Sequence, residues 1–127
     1  MKYTWFGFRQ DIIVSLGLDI KDLAIYRYLI DFYHSNKMKK ILFNNKEYVW
    51  VNYNYFVEEN PIFNIKKRAL ADRLKKLCEA KLLDSYLEKN AQGTYTYYSI
   101  NGDMLDILQS GSTKAKAKEI EDNHVPF

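Results

Sequence analysis

The stretch Asn64-Ile65-Lys66-Lys67-Arg68-Ala69-Leu70-Ala71-Asp72-Arg73-Leu74-Lys75-Lys76-Leu77-Cys78-Glu79-Ala80 decides how the chain is read. Leu70, Leu74 and Leu77 recur at spacings of four and three, with Ile65 and Ala69 alongside, which is one stripe of a 3.6-residue period. The spacing predicts a helix from Ile65 to about Ala80, capped by the Asn64 side chain. With the leucines inward, Lys67, Arg68, Ala71 and Lys75 turn outward. Lys66 stands at the helix start, Asp72 lies near the same outer face, and Arg73 and Lys76 flank it. The N-terminal end adds unpaired N–H groups and a partial positive charge. Small Ala71 leaves room for close approach to a partner. Such a face suits a polyanion, although basic helix faces are often simply solvated.

Outward from this helix the charge pattern is uneven. The 127 residues hold 19 Lys and Arg against 16 Asp and Glu, a net charge of only +3. Residues 64–82 carry 7 basic and 2 acidic side chains, whereas residues 83–110 carry 1 and 4. The positive charge is therefore one local block, as a polyanion partner requires. An apolar fraction of 47% with 28% charge excludes a largely disordered polymer and fits one domain, expected over residues 1–110 with a tail at 111–127. No apolar run reaches the ~18 residues of a membrane span, and no signal peptide is evident, so a cytoplasmic protein is expected.

Upstream, Ile12, Ile13 and Leu16 suggest a short helix ending at Gly17. Asp19 and Asp22 form a capping-box pattern before a strongly apolar helix at about 20–34, with Leu23, Tyr26, Ile30 and Tyr33 in register. Residues 41–43 and 47–51 read as a hairpin turning on Asn44-Asn45. Asn52 caps a short helix, Tyr53 to Glu59, which Asn60-Pro61 ends. After the basic helix, Lys81 occupies a turn position. Residues 82–88 and 94–100 form a second hairpin around the loop Asn90-Ala91-Gln92-Gly93, and Met104, Leu105, Ile107 and Leu108 suggest a final short helix.

Helix, hairpin, short helix, turn, basic helix and hairpin follow the order of an α+β winged helix-turn-helix. The expected fold is a three-helix core with a β-hairpin wing, an extra N-terminal hairpin and a short C-terminal helix. Its second helix would enter a major groove ~12 Å wide. Tyr48-Val49-Trp50-Val51, Glu59-Asn60-Pro61-Ile62, Ile65 to Leu70, Arg73 to Leu77, Leu82-Leu83 and Gly93 to Tyr98 carry a resemblance. Over roughly residues 5–108 the chain resembles the N-terminal winged-helix domains of phage and plasmid replication proteins of low-GC Gram-positive bacteria (replisome-organiser-like). The resemblance implies a domain that binds repeats in double-stranded DNA, commonly as a dimer. It puts Lys66, Lys67, Arg68, Ala71 and Lys75 on the recognition surface and Asn90 to Thr94 at the wing tip. Only a short segment follows Ser110, so the expectation is a stand-alone regulator or a partner of replication, partition or transfer machinery.

The candidate DNA-binding residues are thus Asn64, Lys66, Lys67, Arg68, Ala71, Asp72, Arg73, Lys75 and Lys76, with Lys89, Asn90, Gln92 and Thr94 on the wing. Lys66, Lys67, Arg73, Lys75 and Lys76 are expected to meet phosphates, and Arg68 a guanine. Lys89 is the wing's one cation, beside Asp84 and Glu88, so the wing contributes hydrogen bonds more than charge. The strand aromatics Tyr48, Trp50, Tyr95, Tyr97 and Tyr98 fit core or dimer packing better than base stacking, since no cation accompanies them. Trp5, Phe6, Phe8, Met104, Leu105 and Leu108 either line a homodimer seam or close the monomer core. His34 and His124 stand alone, Glu58-Glu59 suits solubility, and Cys78 adjoins an inward leucine. Lys75 and Lys81 would lower the Cys78 pKa only if that thiol were exposed. No catalytic constellation, metal site or cofactor is expected. The competing reading is a protein-interaction module on the same scaffold.

Overall fold

The computed structural model describes residues 2–35 and 39–110; the expected tail lies outside them. Among the described residues, five helices and two antiparallel sheets make an α+β fold. A two-residue hairpin, β1 (Thr4–Trp5) and β2 (Phe8–Arg9), leads into α1 (Gln10–Ser15) and α2 (Ile20–His34). Then come β3 (Lys40–Phe43), β4 (Lys46–Trp50), α3 (Tyr53–Glu59), one turn of 3₁₀ helix (Pro61–Phe63) and α4 (Lys67–Glu79). The chain continues with β5 (Leu83–Asn90), β6 (Gly93–Ile100) and α5 (Gly102–Ser110).

Local chemistry explains most of these boundaries. The N–H of Asp22 donates to Asp19 Oδ1 at 2.9 Å and the N–H of Asp19 to Asp22 Oδ2 at 3.0 Å, closing the capping box of α2. Asn52 Oδ1 accepts from the N–H of Tyr55 at 3.1 Å and starts α3. Asn44 and Asn45, at φ 51° and 61°, form the tight turn between β3 and β4.

Two expectations are corrected here. Asn64 does not cap α4: it sits in the left-handed region, φ 47° and ψ 54°, closing the 3₁₀ turn. Lys66 is the α4 cap residue and supplies no side-chain bond, so the helix begins two residues later than its apolar pattern suggests. The wing loop is also shorter than expected. Asn90 pairs with Gly93, leaving Ala91 and Gln92 as a two-residue turn.

The two hairpins join into one sheet, in the order β3-β4-β6-β5. Val49 opposite Tyr98 and Trp50 opposite Tyr97 make the seam. That register turns Val49, Leu83, Tyr98 and Ile100 to one face, against the helices. Tyr48, Trp50, Tyr86 and Tyr97 turn to the other, where the Phe43 and Tyr86 rings stack at 4.2 Å. These rings cover one another rather than the core. The Tyr53 and Tyr98 hydroxyls meet at 2.6 Å and tie α3 to β6, and burial holds Tyr98 above the usual tyrosine range.

The helical core contains Leu23, Ile25, Tyr26 and Leu29 of α2 with Leu70, Leu74 and Leu77 of α4. Phe8 and Leu108 are fully buried in it, with Met104 and Leu105 packed alongside, so these side chains close the chain's own core. Trp5 and Phe6 remain exposed.

α4 ends in a Schellman motif. The N–H of Leu82 donates to Leu77 O and that of Lys81 to Cys78 O, both at 3.0 Å, with Lys81 at φ 68°. A side chain in that conformation costs energy that glycine avoids. Lys81→Gly is therefore expected to raise unfolding free energy by about 0.5–1 kcal/mol in urea titration. Tyr26 Oη is buried and finds no partner among the described residues. Tyr26→Phe is expected to leave stability unchanged or raise it by up to about 1 kcal/mol in the same titration.

Candidate nucleic-acid interface

The leucine stripe of α4 faces fully inward, so the remaining side chains divide between an outer face and a flank toward α2. The flank is an ion cluster. Asp22 is 0% exposed and receives Arg73 Nη1 on Oδ1 at 2.8 Å and Lys76 Nζ on Oδ2 at 2.7 Å. The same Arg73 nitrogen also donates to Asp19 Oδ1 at 2.8 Å. Burial tends to raise the Asp19 carboxyl, but the Asp22 N–H and the Arg73 guanidinium outweigh it and hold the pKa below 3.8. Burial acts on Arg73 in the opposite sense, and its bonds to Asp22 and Asp19 hold the guanidinium more firmly charged.

Arg73 and Lys76 therefore join α4 to α2. The outer face keeps Lys66, Lys67, Arg68 and Lys75, all exposed and with side chains free of ion pairs and hydrogen bonds among the described residues. Asp72 is exposed on the same helix, and Ala71 is half-buried between the cations. Asn64 is exposed in the turn just before them, and Ile62, 89% exposed, projects from that turn.

The β5–β6 hairpin, the expected wing, stands beside the start of α4. Pairing of β4 with β6 ends at Trp50 and Tyr97, so Gly93 to Thr96 extend beyond β4. Between this free edge and the helices lies a notch of about 200 Å³, whose polar lining is Asn52, Asn54, Lys67, Thr94 and Thr96. Lys67 and Thr94 are expected from the sequence to lie at the interface. Asn52, Asn54 and Thr96 are not, and only the β4–β6 seam brings them near α4. At the wing tip Lys89, Asn90, Gln92 and Thr94 are all exposed, and Asn90 Oδ1 accepts the N–H of Gln92 at 2.8 Å, bracing the turn. Asp84, near the start of β5, accepts from the Lys46 ammonium on its Oδ2.

Among the described residues, no group of three or more His, Cys, Asp or Glu could hold a metal. Nor does any described helix have the length and apolarity to cross a membrane. Cys78 is half-buried, and burial pushes its thiol up despite a bond with Ser85, so the neighbouring lysines do not activate it. His34 is exposed, and His124 lies outside the described residues. Compared with known protein families, curated proteins and solved structures, the chain matches none.

The cluster generates two expectations. Asp22→Asn leaves two cations without their buried counter-charge and should cost about 2–4 kcal/mol in urea unfolding, the lower part of that range reflecting partly exposed Arg73 and Lys76. Because folding lowers the Asp19 pKa, its contribution is complete above the ordinary 3.8 and is lost as pH falls below it. Arg73→Met should therefore flatten the loss of stability as pH falls below about 4, measured by acid titration of the folded fraction.

Proposed function

We propose that this chain is a winged helix-turn-helix protein that binds double-stranded DNA sequence-specifically, with α4 in the major groove. One observation carries the reading: Lys66, Lys67, Arg68 and Lys75 occupy the solvent face of a helix whose leucines are buried, with their charges uncompensated by ion pairs among the described residues. The order of elements supports it. α3 packs on α4 across the Pro61–Phe63 turn, and the β5–β6 hairpin follows directly.

In this reading the phosphate contacts come from Lys66, Lys67 and Lys75 rather than from Arg73 and Lys76, which Asp22 holds. Arg68, in the first turn, is the guanine reader, since a guanidinium can bond O6 and N7 together. Ala71 admits the helix to the groove. Asp72 repels phosphate and selects against misplaced registers. Asn64 and the wing residues Lys89, Asn90, Gln92 and Thr94 contact the flanking backbone. The protein acts as a homodimer on two half-sites about one helical turn apart. Phage or plasmid regulation, replication, partition or transfer are the settings that the resemblance suggests.

A second reading has its own support. Trp5, Val14 and Ile20, at 42%, 62% and 57% exposure, border an apolar groove of about 400 Å³ between α1 and the start of α2. A protein-interaction module would use such a groove. Retention on heparin separates the two readings: elution at low ionic strength favours the interaction module.

Selection of duplexes from a random library identifies the target. On that target, Lys75→Ala is expected to weaken all sequences alike and to reduce the salt slope by about one unit. Arg68→Ala is expected to flatten sequence preference by ~1–3 kcal/mol. Parental binding by both variants would refute the assignment of α4 to the groove.

A further inference from the structure

A pocket of about 430 Å³ lies between α2, the end of β4 and α3, outside the basic face. Its size falls in the ~300–1,000 Å³ range of small-molecule sites. Its walls are rings: Tyr28 and Phe32 of α2, Trp50 of β4, and Tyr55 and Phe56 of α3. Tyr28 meets Phe56 edge-on at 4.8 Å and Phe32 at 5.5 Å, which sets flat surfaces at different angles around the space. Lys39 stands at the lining and forms no ion pair among the described residues. Among the described lining residues none is acidic. Glu59 acts on the Tyr28 hydroxyl, which bonds Asn60 at the far end of α3.

We infer that this pocket binds a small planar aromatic anion, stacked among the rings with its negative group on Lys39. Flat walls favour a flat occupant, because aromatic pairs gain from offset-stacked and edge-on contact beyond simple burial. A cation in a lining whose described residues hold no carboxylate favours an anion over a neutral or cationic molecule.

The pocket also has a route to the basic face. Trp50, Val51 and Asn52 line both it and the notch beside Lys67. Asn52 caps α3, so an occupant that shifts Trp50 or Asn52 moves α3 and the wing relative to α4. This coupling rests on the DNA-binding reading; the pocket itself does not.

The test uses the full chain and anilinonaphthalene sulfonate as probe, with uncharged anilinonaphthalene as comparator, followed by fluorescence and calorimetry. Expected is saturable one-to-one binding, weakened about tenfold by Lys39→Glu and by Tyr55→Ala, and about tenfold weaker for the comparator. Both variants change exposed side chains, and cooperative thermal unfolding verifies their fold. Absence of saturable binding, or binding indifferent to both variants and to the sulfonate, overturns the proposal. In a second arm, saturating probe is expected to change affinity for the selected duplex by about threefold or more. Lys39-dependent probe binding with unchanged duplex affinity supports the pocket and overturns the coupling. Probe binding by a protein that retains no duplex supports the pocket and overturns the DNA reading.

Discussion

A single buried carboxylate, Asp22, sets the relation between the two longest helices. It caps its own helix through the N–H of Asp19 and accepts Arg73 and Lys76 from α4. Removing a carboxylate from water is costly, and here three donors offset that cost. The net gain over an apolar contact is small by this reasoning, but the geometric demand is strict. Two oxygens must meet two cations spaced three residues apart on a neighbouring helix. Rotating α4 by one residue would break the cluster and expose Leu70, Leu74 and Leu77 together. Leucine stripe and ion cluster thus specify the same helix rotation, and agreement between levels is what gives a sequence one structure.

That rotation determines which charges reach solvent. Of the seven cations between residues 64 and 82, two are held by α2, and Lys81 occupies the turn beyond the helix. Four remain on the outer face, and three of them, Lys66, Lys67 and Arg68, are consecutive at the helix start. The backbone adds its own partial positive charge there.

Short-range patterns made much of the fold legible. The Asp19–Asp22 box, the Asn44-Asn45 turn, the Asn52 cap and the leucine spacing of α4 each involve residues within a few positions of one another, and the corresponding helices and hairpin form there, α4 starting two residues later than its pattern suggests. What escaped depends on distant partners. Arg73 and Lys76 looked like free cations because their counter-charge lies 51 to 54 residues away, and periodicity carries no information about it. The Val49–Tyr98 seam is equally remote in sequence, so the notch that gathers Asn52, Asn54 and Thr96 was invisible. The β1–β2 hairpin escaped for a local reason. Its turn places Phe6 at φ 54°, which turn chemistry seldom assigns to an aromatic residue. Asn64, by contrast, uses the left-handed tolerance of asparagine for the 3₁₀ turn instead of lending its side chain to α4.

The same long-range pairings bear on how the proposed DNA contact would work. With Arg73 and Lys76 committed to Asp22, the second half of α4 exposes one unpaired cation, Lys75, and one carboxylate, Glu79, whereas its N-terminal end keeps three cations and the notch. A duplex would be gripped most strongly at the N-terminal end of the helix, where recognition helices of this class meet base edges. The wing, polar and nearly uncharged, would hold the strand beside that end by hydrogen bonds rather than by attraction at a distance. Affinity would then come from a compact cluster of phosphate contacts and selectivity from Arg68 within it. By holding Arg73 and Lys76, the acid pair Asp19 and Asp22 leaves the exposed charge of the block concentrated at the N-terminal end of α4, where a recognition helix would read.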